Sequence, residues 1–193
     1  MNFFYKSLKL VFYYVENKIN DFYIKISGLK APTVNIPSYE VDSLRIFQAS
    51  TIVEKEYILK TAKSLFNEED PKLINLVYKS PASFILSENG KPCGYAVYRV
   101  VYPFYIKKIW LYSVGIDSKH QGKGYGFILT EHSLKIMANF YRVKNFFLIV
   151  NTSNKAVNLY KKIFFKEYIK IFSSKILMKK VISLQDFSNE YNR

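Results

Sequence analysis

The residues whose types and spacing could do chemistry lie between Asp117 and Gly126, DSKHQGKGYG, a polar, glycine-rich turn set between two apolar patterns. Ahead of it, Ile106 to Ile116 is dense in aliphatic and aromatic residues and reads as a strand buried on both faces. Behind it, Leu129, Ile136, Met137 and Phe140 recur at helical spacing, with Glu131, Lys135 and Arg142 on another face. Strand, glycine turn and helix in that order make a place for an anion. The first turn of a helix carries N–H groups without partners, and the helix dipole adds partial positive charge there. Gly122, Gly124 and Gly126 leave no side chain between those groups and a ligand. A phosphate suits such a turn, although an ordinary strand-to-helix connection uses the same residues. Two phosphate loops are excluded. A P-loop needs Ser or Thr where Gly124 follows Lys123, and the dinucleotide pattern GxGxxG meets Phe127 at its third glycine.

Composition narrows the chemistry further. The chain of 193 residues, 49% hydrophobic, is long enough for one domain with an appendage. Its formal charge of +14 attracts phosphates, nucleic acid or anionic lipid, or serves solubility. One cysteine, Cys93, excludes an internal disulfide and fits a reducing compartment, so a cytoplasmic location is expected, with the membrane surface as an alternative. With only two histidines, His120 and His132, a zinc or iron site is not expected.

These residues need elements to position them. Residues 3 to 26 place Phe4, Leu8, Val11, Val15, Ile19, Phe22 and Ile26 at helical steps, an amphipathic segment for a membrane surface, a partner or the domain itself. Lys6, Lys9, Lys18 and Lys25 interrupt it, so no run approaches the roughly 20 apolar residues of a membrane span. Residues 1–38 therefore read as a helical appendage with a linker, 39–183 as the main domain, and 184–193 as a polar tail. Within the domain, Leu44 to Ala49 is a strand, and Thr51-Ile-Val-Glu54 is a capping box opening a helix to about Phe66. Asp70 caps a second helix with Pro71 at its first position. Strands at 82–86 and 94–102 flank Asn89-Gly90, a hairpin signal that makes them antiparallel. After the 126–142 helix come a strand at 146–150, a helix over 153–165, and strands near 167–172 and 176–182. The order is β-α-α-β-β-β-α-β-α-β-β, a mixed, mostly antiparallel α/β (α+β) sheet flanked by helices.

Two segments together, VGIDSKHQGKGYG and the later NKAVNLYKKIFF, resemble the GNAT superfamily of acetyl-CoA-dependent N-acetyltransferases. The family loop Q/R-x-x-G-x-G/A is met by Gln121, Gly124 and Gly126, and the later signature by Ala156, Leu159, Tyr160 and Phe165. Two positions depart from it. Ser153 stands where the family has Asn, with Asn154 one place late, and Phe164 replaces the glycine before Phe165.

The resemblance implies that acetyl-CoA is the donor and lies where the strands 106–116 and 146–150 splay apart. Its pantetheine would pair with backbone groups around Val114, Gly115 and Ile116. Its pyrophosphate would sit on the turn Gln121, Gly122, Lys123, Gly124, Tyr125 and Gly126, with Asn154 at the next helix. Lys119 and Lys123 are further phosphate partners. Transfer needs a neutral amine, stabilisation of an oxyanion and a proton for the departing thiolate. Tyr160 matches the family's general acid, and a core aromatic would occupy the same apolar helix face. For the base, Tyr112, Glu54 or a water are the choices. Glu68, Glu69 and Ser113 frame the acceptor side, where carboxylates would hold an ammonium group and Ser173 to Lys175 a phosphate. The expected acceptor is a small-molecule amine such as an amino-sugar nucleotide. A protein N-terminus or an aminoacyl-tRNA is the alternative, and a non-catalytic acyl-CoA or membrane-binding module is the reading from another class.

Overall fold

The computed structural model describes residues 36, 38–67, 69–101, 108–171 and 174–182. The expected N-terminal helix, most of its linker, the polar tail, Glu68 and Ser173 lie outside the described residues. Eight strands form one sheet: β1 (Tyr39–Val41), β2 (Leu44–Gln48), β3 (Ser83–Glu88), β4 (Lys91–Val101), β5 (Lys108–Ile116), β6 (Asn145–Asn151), β7 (Lys166–Ile171) and β8 (Lys175–Val181). Their spatial order is β1-β2-β3-β4-β5-β6-β8-β7, and β5 with β6 is the parallel pair among antiparallel ones. The helices are α1 (Ile52–Phe66), α2 (Pro71–Lys79), α3 (Tyr125–Tyr141) and α4 (Ala156–Lys162).

The pleat divides the core into two layers. On β3 and β4, Phe84, Leu86, Ala96 and Tyr98 face a cluster that includes Leu129, Leu134 and Met137 of α3 and Tyr160 of α4. The alternate residues Ile85, Tyr95 and Val97 pack with Ile58 and Ala62 of α1 and Leu73 and Val77 of α2. A central sheet with a helix pair on each face follows from that alternation.

Local chemistry sets the element boundaries. Thr51 Oγ1 accepts the Glu54 N–H at 3.2 Å, while the Glu54 carboxylate accepts the Ser50 and Thr51 N–H groups at 2.8 Å each, the expected capping box. Asp70 accepts the Lys72 N–H at 2.9 Å with Pro71 behind it. Asn89 and Gly90, both at positive φ, turn the β3–β4 hairpin. One strand was not expected: β1 folds back on β2 through Asp42 at φ 53°.

The last helix is shorter than its pattern. Asn154 Oδ1 accepts the Ala156 N–H at 2.8 Å and starts α4 there. At the other end Phe164 adopts φ 65°, with its N–H on Lys161 O and the Phe165 N–H on Tyr160 O, a Schellman ending. The family glycine has a physical reason here, because that position is left-handed. Phe164 keeps the backbone path and sends its ring outward, 75% exposed, while Phe165 is buried beneath.

Left-handed backbone costs a bulky L-residue about 1–2 kcal/mol, and glycine's looser unfolded state returns part of that. Phe164→Gly should therefore stabilise the fold by about 0.5–1 kcal/mol, a rise in melting temperature of about 2 °C. Thermal unfolding followed by circular dichroism checks this, and a lower melting temperature would count against the strain.

Candidate active site

The parallel contact between β5 and β6 is two residues long: Ile109 opposite Phe146 and Trp110 opposite Phe147. Beyond it the strands part. β5 stays on β4 as far as Ile116, and β6 stays on β8 as far as Asn151, so each strand follows its other neighbour and the two edges that face each other are left unpaired. Trp110 stacks on Phe147 at 5.0 Å between centroids, a bulky pair at the point of divergence.

A bulge lies just beyond the point of divergence. Val97 pairs with Ser113 but Tyr98 pairs with Leu111, so Tyr112 is the extra residue. Tyr112 and Ser113 therefore turn to the same side: the Tyr112 hydroxyl donates to Asp70 Oδ2 at 2.6 Å, and Ser113 Oγ shares a 3.0 Å hydrogen bond with the Tyr95 hydroxyl. The strand expected to be buried on both faces is thus only half-buried at Tyr112, Ser113, Val114 and Ile116. The cause is the missing neighbour on the gap side.

Alternation decides which backbone groups face that gap. The Asp117 N–H donates to Cys93 O on β4 at 2.9 Å, so Gly115 also faces β4, while Ile116 and Val114 direct their N–H and C=O the other way. Ile116 O is taken by Gln121 Nε2 at 2.9 Å, which ties the turn to the strand end. The remaining groups at Val114 and the Ile116 N–H suit the amides of an extended ligand lying as a false strand.

After Ile116 the chain makes a 3-10 turn, Ser118–His120, held by the Lys119 N–H on Asp117 Oδ1 at 3.2 Å. Gly122 and Gly124 follow at φ 82° and 81°, with open space where a Cβ would be. Gly124 is the cap of α3 and has no side chain to satisfy the helix start. Among the described residues the N–H groups of Gly122 to Gly126 meet no acceptor. Five free donors at a helix N-terminus fit a diphosphate. A Cβ on Gly126 would stand 3.4 Å from Leu159 and 3.8 Å from Ile116, so α3 begins where β5 and α4 converge.

The proton-carrying groups occupy both faces of the sheet. Tyr160, on α4, is 7% exposed, and its hydroxyl makes no hydrogen bond among the described residues. Burial, with the nearby Tyr95 hydroxyl second, pushes it up to about 12, so it stays protonated. On the other face, burial and then the Asp70 carboxylate raise Tyr112 above the ordinary tyrosine range. Asp70 is legible in the sequence as a helix cap and, with Glu68 and Glu69, as part of an acidic run suited to a cationic acceptor, while its contact with Tyr112 spans 42 positions and is not.

The other expected residues are placed as follows. The Glu54 carboxylate is committed to the α1 cap, and those hydrogen bonds outweigh its burial and hold it below the usual carboxylate range, which makes it a weak base. Glu69 pairs with Lys63 at 2.6 Å on the exposed surface. Asn154 spends its carbonyl on α4. Gly115 has a packing reason: a Cβ there would lie 2.6 Å from the Tyr95 ring and 2.7 Å from Leu65. Lys123 sits 3.4 Å from Glu88.

Comparison with known proteins agrees with this geometry. A sequence model of the acetyltransferase (GNAT) family matches residues 49–164. An N-alpha-acetyltransferase of Sulfurisphaera tokodaii is 32% identical over 95 residues, 45% of this chain and 57% of that protein. The match thus spans little more than half of that relative's length. Among solved structures, Arabidopsis thaliana Naa50 bound to a bisubstrate analogue superposes with a TM-score of 0.60 at 18% identity, over 73% of this chain and all of that one. The ribosomal-protein-S18-alanine N-acetyltransferase of Escherichia coli gives 0.56 at 22% identity, over 73% and 95%. At these identities the structural likeness is one of fold.

The two kinds of glycine should respond differently. Gly115→Ala forces the Tyr95 ring to move and should destabilise the fold by about 1–3 kcal/mol, whereas Gly124→Ala adds left-handed strain at an open position and costs about 1 kcal/mol. Denaturant titration of both variants checks the order, and equal losses would contradict it.

Proposed function

The chain belongs to the GNAT family of acetyltransferases, and on that premise we propose that it acetylates the α-amine of a protein or peptide N-terminus, using acetyl-CoA as donor. The observation that carries the choice of acceptor is the likeness to an N-alpha-acetyltransferase at 32% identity. Less supports an amino-sugar nucleotide. Of the two glutamates expected to hold its ammonium group, Glu69 is paired with Lys63, and Glu68 lies outside the described residues.

The site's proton chemistry also favours an α-amine. Near pH 7.5 roughly a third of α-amines are neutral, against about 0.1% of lysine side chains, so an α-amine needs little help from a base. The acceptor-side group, Tyr112, is a hydroxyl already donating to Asp70 rather than a free carboxylate. In this reading the neutral amine attacks the thioester carbonyl. The nitrogen, cationic once the C–N bond has formed, gives its proton to the Tyr112 oxygen as the Tyr112 proton passes to Asp70, and the C–S bond then breaks to release the thiolate. The thioester supplies an acyl group activated towards amines. Backbone groups at Val114 and Ile116 orient it in the gap, and Tyr160 approaches from the α4 side.

Tyr160 works as a hydrogen-bond donor rather than a strong acid. With its hydroxyl near 12, complete transfer to a thiolate of ordinary pKa, about 8.5, would be uphill by about 5 kcal/mol. A hydrogen bond that strengthens as sulfur departs lowers the barrier without that loss.

Tyr160→Phe should reduce kcat at least about tenfold with acetyl-CoA affinity unchanged, and near-wild-type turnover would remove Tyr160 from the chemistry. The acid must stay protonated, so its contribution disappears only as pH rises through about 12. The wild-type rate should climb with pH through the amine's titration near 8 and show no loss from Tyr160 below about pH 11. The acceptor is tested by CoA release with free N-terminal peptides, the same peptides blocked at the α-amine, amino-sugar nucleotides and charged tRNA. Turnover confined to free peptides is expected; turnover with a sugar nucleotide and none with peptides would reverse the assignment.

A further inference from the structure

One carboxylate outside the gap reaches three side chains of the anion turn. Glu88 ends β3, where its backbone is held on one side by Leu44 of β2 and on the other by Lys91 across the hairpin. Its side chain, 22% exposed, accepts a short hydrogen bond from the Tyr125 hydroxyl and faces Lys123 Nζ at 3.4 Å and His120 Nε2 at 3.6 Å. Those three residues bracket Gly122 and Gly124, the two left-handed positions of the turn. Lys123 Nζ also lies 5.5 Å from the centroid of the Tyr125 ring, so the two tethered side chains contact each other.

A turn with two such glycines has wide conformational freedom, and ordering it is a cost of binding unless the fold bears that cost beforehand. Glu88 sits on a strand with neighbours on both edges and belongs to the rigid part of the sheet. The Tyr125 hydroxyl, followed by Lys123 and His120, holds Glu88 below the usual carboxylate range, so it stays ionised. We propose that Glu88 is a positioning residue for the donor: through Tyr125, Lys123 and His120 it fixes the backbone of residues 120–125 so that the amides of Gly122 to Gly126 are aligned before the pyrophosphate arrives. Its negative charge works against an incoming anion, and the lysine beside it offsets that charge. This inference rests on acetyl-CoA being bound by the turn.

The test compares kcat/KM for acetyl-CoA with that for acetyl-pantetheine, which carries the same thioester without a pyrophosphate, in the full chain. Wild type should prefer acetyl-CoA strongly. Glu88→Ala should lower kcat/KM for acetyl-CoA about tenfold, the scale of one or two side chains left to be ordered on binding. It should leave kcat at saturating acetyl-CoA, and all parameters for acetyl-pantetheine, as in wild type. Glu88→Gln still accepts from the Tyr125 hydroxyl and should recover most of the loss, and Tyr125→Phe should reproduce part of it. Equal losses with both donors would mean that Glu88 only supports the fold. Tighter use of acetyl-CoA by either Glu88 variant would mean that charge repulsion dominates. Either result overturns the proposal. A wild type that does not distinguish the donors overturns the reading of the turn, and the role of Glu88 with it.

Discussion

A backbone N–H or C=O at the edge of a strand has to be satisfied by something, and on β5 beyond Trp110 the sheet supplies nothing on one side. Two parallel pairs hold β5 to β6, and then each strand follows its other neighbour. The Trp110–Phe147 stack marks the branch point, and the bulge at Tyr112 lies just beyond it. β6 is bonded to β8 along its whole length on its other edge, so closing the open edge would require β6 and β8 to swing together towards β5. The opening is therefore set by the divergence of the two halves of the sheet.

The rest of the site is arranged around that edge. The glycine turn leaves the end of β5 and is tied back to Ile116 by Gln121, so the free donors of α3 lie in continuation of the free groups of β5. A single extended ligand with amides in its middle and a diphosphate at one end matches both sets. On the proposed reading, the two faces of the sheet divide the proton work. Tyr160 comes from the α3–α4 layer, and Tyr112 with Asp70 from the α1–α2 layer. Each tyrosine keeps its proton because it is buried, which suits donors and relays more than strong bases.

What the sequence made legible was local. The capping box at Thr51, the Asp70–Pro71 helix start, the Asn89–Gly90 hairpin and the strand-turn-helix at Gly122 depend on neighbours a few residues apart, and each is found where its pattern lies. Relations that span the chain were not legible. The Tyr112–Asp70 contact joins positions 42 apart and depends on a bulge that no periodicity announces. Glu88 looked like the flank of a turn, because its partner Tyr125 is 37 residues on. The reading of Ile106 to Ile116 as buried on both faces followed from its apolar density, which cannot distinguish a missing neighbour from a present one. Phe164 was visible as a departure, and the left-handed Schellman position that explains it was not.

The central claim is that the parted edge of β5 and the glycine turn together receive the donor. Amide hydrogen exchange resolved to single residues, with and without saturating CoA, tests it most directly. The account predicts slowed exchange at the Ile116 and Val114 N–H groups and at Gly122 to Gly126, with little change along β7 and β8. Saturation by CoA with those amides exchanging as fast as before, or with protection confined to other strands, would contradict it.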